Sequence, residues 1–349
     1  MNNYNCEIVA DSLNTFGNRI ITFKLTYPRI VHAELMTHRM FSRNAASSRA
    51  VPVRKMIESV KNNMFTPLAI QKAHRGMQGS DYFEGKELEQ ATQLWIESAE
   101  LALQQAEKME KFGITKQIIN RILEPYQYYQ VLVTATEWEN FFKLRCPQYD
   151  WGINAKDCYH RSKKDQIKDV SAPSNKDELK NLDDVDWLKI NKSQAEIHIQ
   201  AIAELMWDAM NESTPKQLQA GQWHLPFSDK IDEAQLAQTI SPNKALIYSN
   251  TNLEELKLKV CVSRCARISY ETLGDNPKID YAADIKLHDI LASNGHASPF
   301  EHVAKCMDEI EYYRGIRCNI IDGKPSSGWC KNFRGFIQYR EFLENGEGK

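Results

Sequence analysis

The sequence predicts a mixed α/β (α+β) protein. Three observations point there: an apolar, β-rich run from Ile20 to Tyr27, a long amphipathic period between 86 and 112, and further helical periods at 193–211 and 280–293. The 20–27 run reads I-I-T-F-K-L-T-Y and predicts a strand that ends at Pro28. A short helical piece from about Ile30 then carries His38 and Arg39 to its end. Beyond it lie the small hydroxyl and amide residues Ser42, Asn44, Ser47 and Ser48, bracketed by Arg39, Arg43 and Arg49. Backbone N–H groups, hydroxyls and guanidinium forks gathered in one turn suit a phosphate, although a solvated basic turn has the same composition.

Residues 61–85 read as a loop with turn signals at Arg75-Gly76 and Gly79-Ser80-Asp81. In the helix that follows, Leu88, Ala91, Trp95, Ala99, Ala102, Ala106 and Met109 recur at three- and four-residue steps, and Gly113 supplies its end. Helices are expected at 115–123, stopped near Pro125, and at about 134–145. From Cys146 to about Lys192 the pattern breaks into charge-rich sequence, read as an insertion, a lid or a solvated excursion. A helix at 193–211 carries Ala195, Ile199, Ile202, Met206 and Met210. A Trp223/Pro226 loop, a strand-like Leu256–Cys261 stretch, a helix closing at Asn294-Gly295 and a mixed strand-plus-helix tail over 306–343 complete the chain. The expected division is 1–145, 146–192 and 193–349, forming one catalytic domain.

A chain of 349 residues can bury a large core, and its net charge of −2 gives no overall attraction to nucleic acid or anionic membrane. Any anion site must therefore be local. The opening Met1-Asn2-Asn3-Tyr4-Asn5-Cys6-Glu7 lacks the order of a secretion signal, and no apolar run is long enough to cross a bilayer, so a cytoplasmic protein is expected. The eight cysteines (Cys6, Cys146, Cys158, Cys261, Cys265, Cys306, Cys318 and Cys330) stand singly and read as free thiols. Cys158 near His160, and Cys330 near Arg334, could be activated nucleophiles, but neither has both a base and an orienting group in its pattern. The spacing of His296, Glu301 and His302 matches no metal-ligand motif, so no metal is expected.

Four separated stretches carry the chemistry: T-H-R-M-F-S-R-N-A-A-S-S-R-A from Thr37 to Ala50, Asn140–Arg145, Ser193–His198, and G-H-A-S-P-F-E-H from Gly295 to His302 preceded by A-R-I-S-Y from Ala266 to Tyr270. Together they resemble the flavin-dependent thymidylate synthases, whose signature is Arg-His-Arg, seven residues, then Ser. That family's A-R-V-S-Y, G-H-x-[ST]-P-F-E-H, N-F-L-x-L-R and A-Q-W-E-I-R are similar to the other stretches. The order differs, because the A-R-I-S-Y and S-P-F-E-H stretches precede the Arg-His-Arg strand in the family and close the chain here. The arrangement resembles a circular permutation.

The resemblance implies a central, mostly antiparallel sheet with long helices, a homotetramer, FAD as cofactor, and methylenetetrahydrofolate and NADPH as co-substrates. The substrate it implies is a pyrimidine deoxynucleotide monophosphate, dUMP being converted to dTMP. It places flavin contacts on His296, Ser298, Glu301, His38, Arg39, Met40 and Arg145. The phosphate falls on Ser47, Ser48 and Arg49, further nucleotide contacts on Glu34, Tyr128 and His198, and the chemistry on Arg39, His38 and Ser47. Departures cluster on the nucleotide side. Thr37 replaces the first Arg, Ala45 a Glu, Ala50 a Tyr, Glu34 a Gln, Lys143 an Asn, and Tyr128 and His198 each an Arg. They leave open dCMP in place of dUMP, or a hydroxymethyl product in place of a methyl one. A non-catalytic relative binding nucleotide or nucleic acid through Arg39, Arg43, Arg49 and Arg54 is the other alternative.

Overall fold

The computed structural model describes residues 3–76, 79, 81–150, 159–169, 180–239, 252–270, 280–314, 320–321, 324–325 and 327–346. Its centre is a five-stranded sheet. β1 (Asn5–Leu13) runs antiparallel to β2 (Arg19–Pro28), the predicted apolar strand. After β2 come a 3-10 turn at Arg29–Val31 and the short helix α1 (His32–Met36), then β3 (Ser42–Ala45). Helices α2 (Val53–Asn62) and α3 (Gly85–Phe112) precede β4 (Tyr128–Ala135), which sits between β2 and β3 and is antiparallel to both. The two residues Lys216–Gln217 add a parallel edge beside β1, giving the order β3-β4-β2-β1-(216–217). The mixed α/β class with a mostly antiparallel sheet is the one expected.

Period-two alternation sorts the sheet into two faces. Ile21, Phe23, Leu25 and Tyr27 of β2, with Val131, Val133 and Ala135 of β4, point to one side and are buried with the helix Ile197–Glu212 and the aromatics Phe41, Trp138, Phe141 and Phe142. Thr22, Thr134, Ser42 and Asn44 point to the other side. They meet a three-stranded sheet (Phe336–Gln338, Ala304–Cys306, Trp223–His224) and the helix Leu253–Arg267.

α3 ends as its sequence requires: Gly113 takes φ 89°, which a side chain would disfavour, and its N–H reaches back to the last turn. Three local readings are corrected. Residues 134–145 are not one helix. The aromatic and β-branched run Y-Y-Q-V-L-V-T-A is β4, and the helix is confined to Glu139–Arg145. The apolar-polar alternation of Leu256–Cys261 is not a strand but part of the helix Leu253–Arg267, capped by Asn252 with Glu254 and Glu255 in its first turn and Arg264 and Arg267 in its last. Buried on most sides, that helix shows no clean stripe. Ser42 to Ser48 do not share one turn either, since Ser42–Ala45 is β3. The expected 115–123 helix shortens to Lys116–Ile119 followed by 3-10 turns.

In the 146–192 stretch, the described parts dock on the apolar side of the molecule. Trp187 and Leu188 are buried, Arg161 pairs with Glu139, and Glu204 of the Ile197–Glu212 helix accepts the Lys163 N–H. Cys158, weighed above as a nucleophile, and Cys318 lie outside the described residues.

Candidate functional site

The short α1 delivers the Thr37-His38-Arg39 turn. The Thr37 hydroxyl and N–H both return to the Glu34 carbonyl, and the His38 N–H returns to Leu35, so the helix stops and His38 swings inward. Its ring, 7 % exposed, lies edge-on to Phe141 and stacked near Phe41. Arg145 donates from Nε to His38 Nε2 at 3.1 Å and from Nη2 to the Thr37 hydroxyl at 3.2 Å. A guanidinium has no acceptor, so His38 Nε2 carries the lone pair and the ring proton sits on Nδ1. Burial first, then the positive Arg145 and Arg43, hold the imidazole down at about 4. His38 is therefore neutral at pH 7, and the positive charge of the turn belongs to the arginines.

Arg43 joins this turn to the other end of the chain. Its guanidinium donates to the carbonyls of Met36 (2.7 Å) and His38 (3.4 Å), while its own carbonyl accepts the Ser298 hydroxyl at 3.1 Å. Burial lowers its affinity for its proton, and the nearby Glu301 carboxylate raises it again. Ser298 and Glu301 belong to a 3-10 turn that follows the helix Tyr281–Ser293. Gly295 (φ 71°) and a His296 N–H bonded to the Leu291 carbonyl close that helix, leaving the His296 side chain exposed. Glu301 is paired with Arg340, and the Met40 carbonyl accepts from Asn332.

Asn44 is the second junction. It donates to the Cys265 carbonyl at 2.5 Å and accepts from the hydroxyls of Ser269 (3.0 Å) and Ser298 (3.4 Å). The Ser47 N–H reaches the Ser269 carbonyl at 3.0 Å. The A-R-I-S-Y and S-P-F-E-H stretches thus dock side by side on β3 and the turn after it.

A separate pocket opens past β3, lined by Ser47, Ser48, Glu124, Tyr128 and Tyr129 among others. Three of the expected nucleotide residues meet there. The Ser48 hydroxyl donates to Glu124 at 2.6 Å, so that hydroxyl is already engaged and an anion would face a carboxylate beside it. Arg49 and Arg39 are exposed. Glu34 carries one buried oxygen, Oε2, with no hydrogen-bond partner among the described residues. His198 stands apart: it is buried, with Nε2 accepting from Leu68 N–H (2.9 Å) and Nδ1 bonded to Glu196, one aromatic ring (Phe65) away from Tyr128.

The sequence reading named Asn44 and Arg43 only as part of a basic turn suited to a phosphate, not as junctions to the C-terminal stretches, and assigned no role to Asn332 or Arg340. Their signal is weak, because a polar residue in a strand or tail declares its partner only once the fold brings the two together. Among the described residues no three His, Cys, Asp or Glu side chains gather as a metal site would require, and no helix is long and apolar enough to cross a membrane.

A family model described as Thymidylate synthase complementing protein matches residues 12–162. No curated protein sequence matches the chain. Among solved structures, the UMP/dUMP methylase PolB from Streptomyces cacaoi bound with 5-Br dUMP shares 15% identity at a TM-score of 0.37, over 56% of this chain and 66% of that one. The same methylase bound with 5-Br UMP shares 15% identity at a TM-score of 0.39, over 60% of this chain and 89% of that one. The matched segment holds the Thr37–Ala50 and Asn140–Arg145 stretches, while the Gly295–His302 stretch lies beyond it. Over residues 12–162, then, the chain is similar to the thymidylate synthase complementing proteins, the family its motifs resemble.

Proposed function

We propose that this protein is a flavin-dependent enzyme that transfers a one-carbon unit to C5 of a pyrimidine deoxynucleotide monophosphate, with methylenetetrahydrofolate as carbon donor and NADPH as reductant. The observation that carries the reading is the double docking on β3. Ser298 binds the Arg43 carbonyl and Asn44, and Ser269 binds Asn44, so motifs from opposite ends of the chain meet at Arg43 and Asn44, and the Arg43 guanidinium reaches on to the His38 carbonyl. FAD, when bound, would supply reducing equivalents and mediate the transfer. His38, Arg39, Met40, Arg145, His296, Ser298 and Glu301 would hold it. Neutral His38 offers a single Nδ1–H donor, and Arg39 and Arg145 offer the charge that favours an electron-rich ring system. Ser47, Ser48, Arg49 and Tyr128 would bind the nucleotide, with Arg49 rather than Ser48 supplying most of the attraction for its phosphate. The exposed Arg39, Arg49 and His296 suit a site completed by neighbouring subunits of a homotetramer.

One observation favours dCMP over dUMP as the substrate. The buried, unpartnered Oε2 of Glu34 is an acceptor, and an acceptor is matched by an exocyclic amino group and not by a carbonyl. Mass spectrometry of the products formed from dUMP and from dCMP, with methylenetetrahydrofolate, FAD and NADPH, tests both readings. A mass gain on either nucleotide is expected. Protein that stays colourless with FAD and alters neither substrate would sink the proposal. In the same assay Arg49→Ala should raise the nucleotide KM about tenfold or more with FAD affinity unchanged, and His296→Ala should do the reverse.

A further inference from the structure

His302 closes the Ser298–Glu301 turn and leads into the strand Ala304–Cys306. Its imidazole is fully buried, and from it a row of hydrogen bonds crosses the sheet. His302 Nδ1 meets the Thr134 hydroxyl (2.8 Å), which meets the Thr22 hydroxyl (2.7 Å), which meets His224 Nε2 (2.8 Å), whose Nδ1 meets the Ser12 hydroxyl (2.9 Å). The register that pairs Thr22 with Thr134 across β2 and β4 is what brings the two hydroxyls together. Burial holds both imidazoles down at about 3, so each carries one ring proton.

With one proton per ring and one per hydroxyl, the row can point in only two consistent directions. If Ser12 donates to His224, each later member donates onward and Thr134 donates to His302 Nδ1, so both rings carry their proton on Nε2. If the row is reversed, both rings carry it on Nδ1 and Ser12 accepts. Either way one donor and one acceptor are left over at the two ends, and His302 Nε2 is indeed a buried atom with no hydrogen-bond partner among the described residues. A mixed pair of tautomers would break the row in its middle, and an unmatched buried group is costly.

We infer that Thr134 and His302 are positioning residues for the Ser298–Glu301 turn: a hydrogen-bond row anchored at Ser12 ties the tautomer of His302 to that of His224 and fixes the orientation of His302. The turn that presents Ser298 and Glu301 is thereby set on the sheet. The part of this inference that concerns cofactor binding rests on the function proposed above; the row itself does not.

The experiment uses the full chain with 15N-labelled histidine. In the unsubstituted protein, NMR should show His224 and His302 in the same single tautomer, both protonated at Nε2 or both at Nδ1. Thr134→Val, which keeps the shape and removes the hydroxyl, should abolish that single tautomer and weaken FAD binding about tenfold, and Thr134→Ser should restore both. If Thr134→Val does not fold, Thr22→Val interrupts the same row one link further from His302, with the same expected result. A His302 tautomer unchanged by the valine variant, or a serine variant as impaired as the valine one, overturns the inference. So does a lost tautomer with unaltered FAD affinity, since the turn would then be set by other contacts. If the unsubstituted protein binds no FAD, the proposed function fails, and the NMR result alone still decides whether the row exists.

Discussion

The two faces of the central sheet are built differently although they share the same strands. On one, Phe23, Leu25, Val131 and Val133 meet the Ile197–Glu212 helix in a large apolar cluster, fully buried, with Trp138 edge-on to Phe23 at 5.0 Å. On the other, small apolar clusters around Ile20 and Leu132 flank Ser42, Asn44, Thr22 and Thr134, which are almost as buried but meet the C-terminal elements through hydrogen bonds. Apolar packing is strong and non-directional and tolerates small shifts. A hydrogen-bonded face contributes less net energy per contact, but a displacement leaves its groups unsatisfied, so it fixes geometry. The face that carries Ser298 and Glu301 is the directional one.

This contrast can be broken or sharpened by substitution. The largest effect is expected from Phe23→Ala, which should cost about 3–5 kcal/mol in denaturant unfolding because a fully buried aromatic leaves a cavity. Next is Glu204 on the apolar side, whose carboxyl burial pushes up to about 7. Folded protein holds that proton where unfolded chain has released it, so its contribution is complete below about 4.5 and is lost as pH rises through about 7. Glu204→Gln should therefore gain on the order of 3 kcal/mol over the unsubstituted protein at pH 8 and little at pH 4. The polar face should respond in the opposite sense. His224 and His302 are depressed to about 3 by burial, so their contribution is present above about 6.5 and is lost as pH falls towards 3. Acid titration of Glu204→Gln, followed by circular dichroism, should still show that loss, and an acid-stable variant would contradict the assignment. Asn44→Ala should have the smallest effect on stability, about 1–3 kcal/mol, yet weaken FAD binding at the proposed site, because it removes one anchor of each C-terminal stretch on β3. Equal FAD retention in Asn44→Ala and the unsubstituted protein would deny the polar face its role in setting the site.

Local chemistry made much of this legible in the sequence. The three- and four-residue period from Leu88 to Met109 with Gly113 gave α3, and the β-rich run gave β2. The helix ending at Asn294-Gly295 also stands where its pattern put it. Short motifs were legible as well, and the structure brings His38, Arg145, Ser298 and Ser269 around Arg43 and Asn44. What stayed hidden depends on tertiary context. Leu256–Cys261 alternates like a strand because its helix is covered on several sides. Tyr128–Ala135 was not read as a strand, and its last two residues were joined to the helix that follows. Asn332 reaches the Met40 carbonyl across 292 residues and Arg340 reaches Glu301 across 39, separations that no short window of sequence contains.

The out-of-order motifs have a consequence for how the molecule is made. β1 to β4 and the Ile197–Glu212 helix emerge from the ribosome well before residues 253–344, so the hydrophobic side can close while the hydroxyl-bearing side is still wet. Water can satisfy those serines, threonines and the asparagine in the interval, while Ile20 and Leu132 beside them stay partly uncovered until the later residues arrive. Docking of the Ser269 and Ser298 stretches on β3 is then a late event in the making of the molecule, and a chain interrupted near 250 would be a half-built scaffold that still shows those two apolar spots.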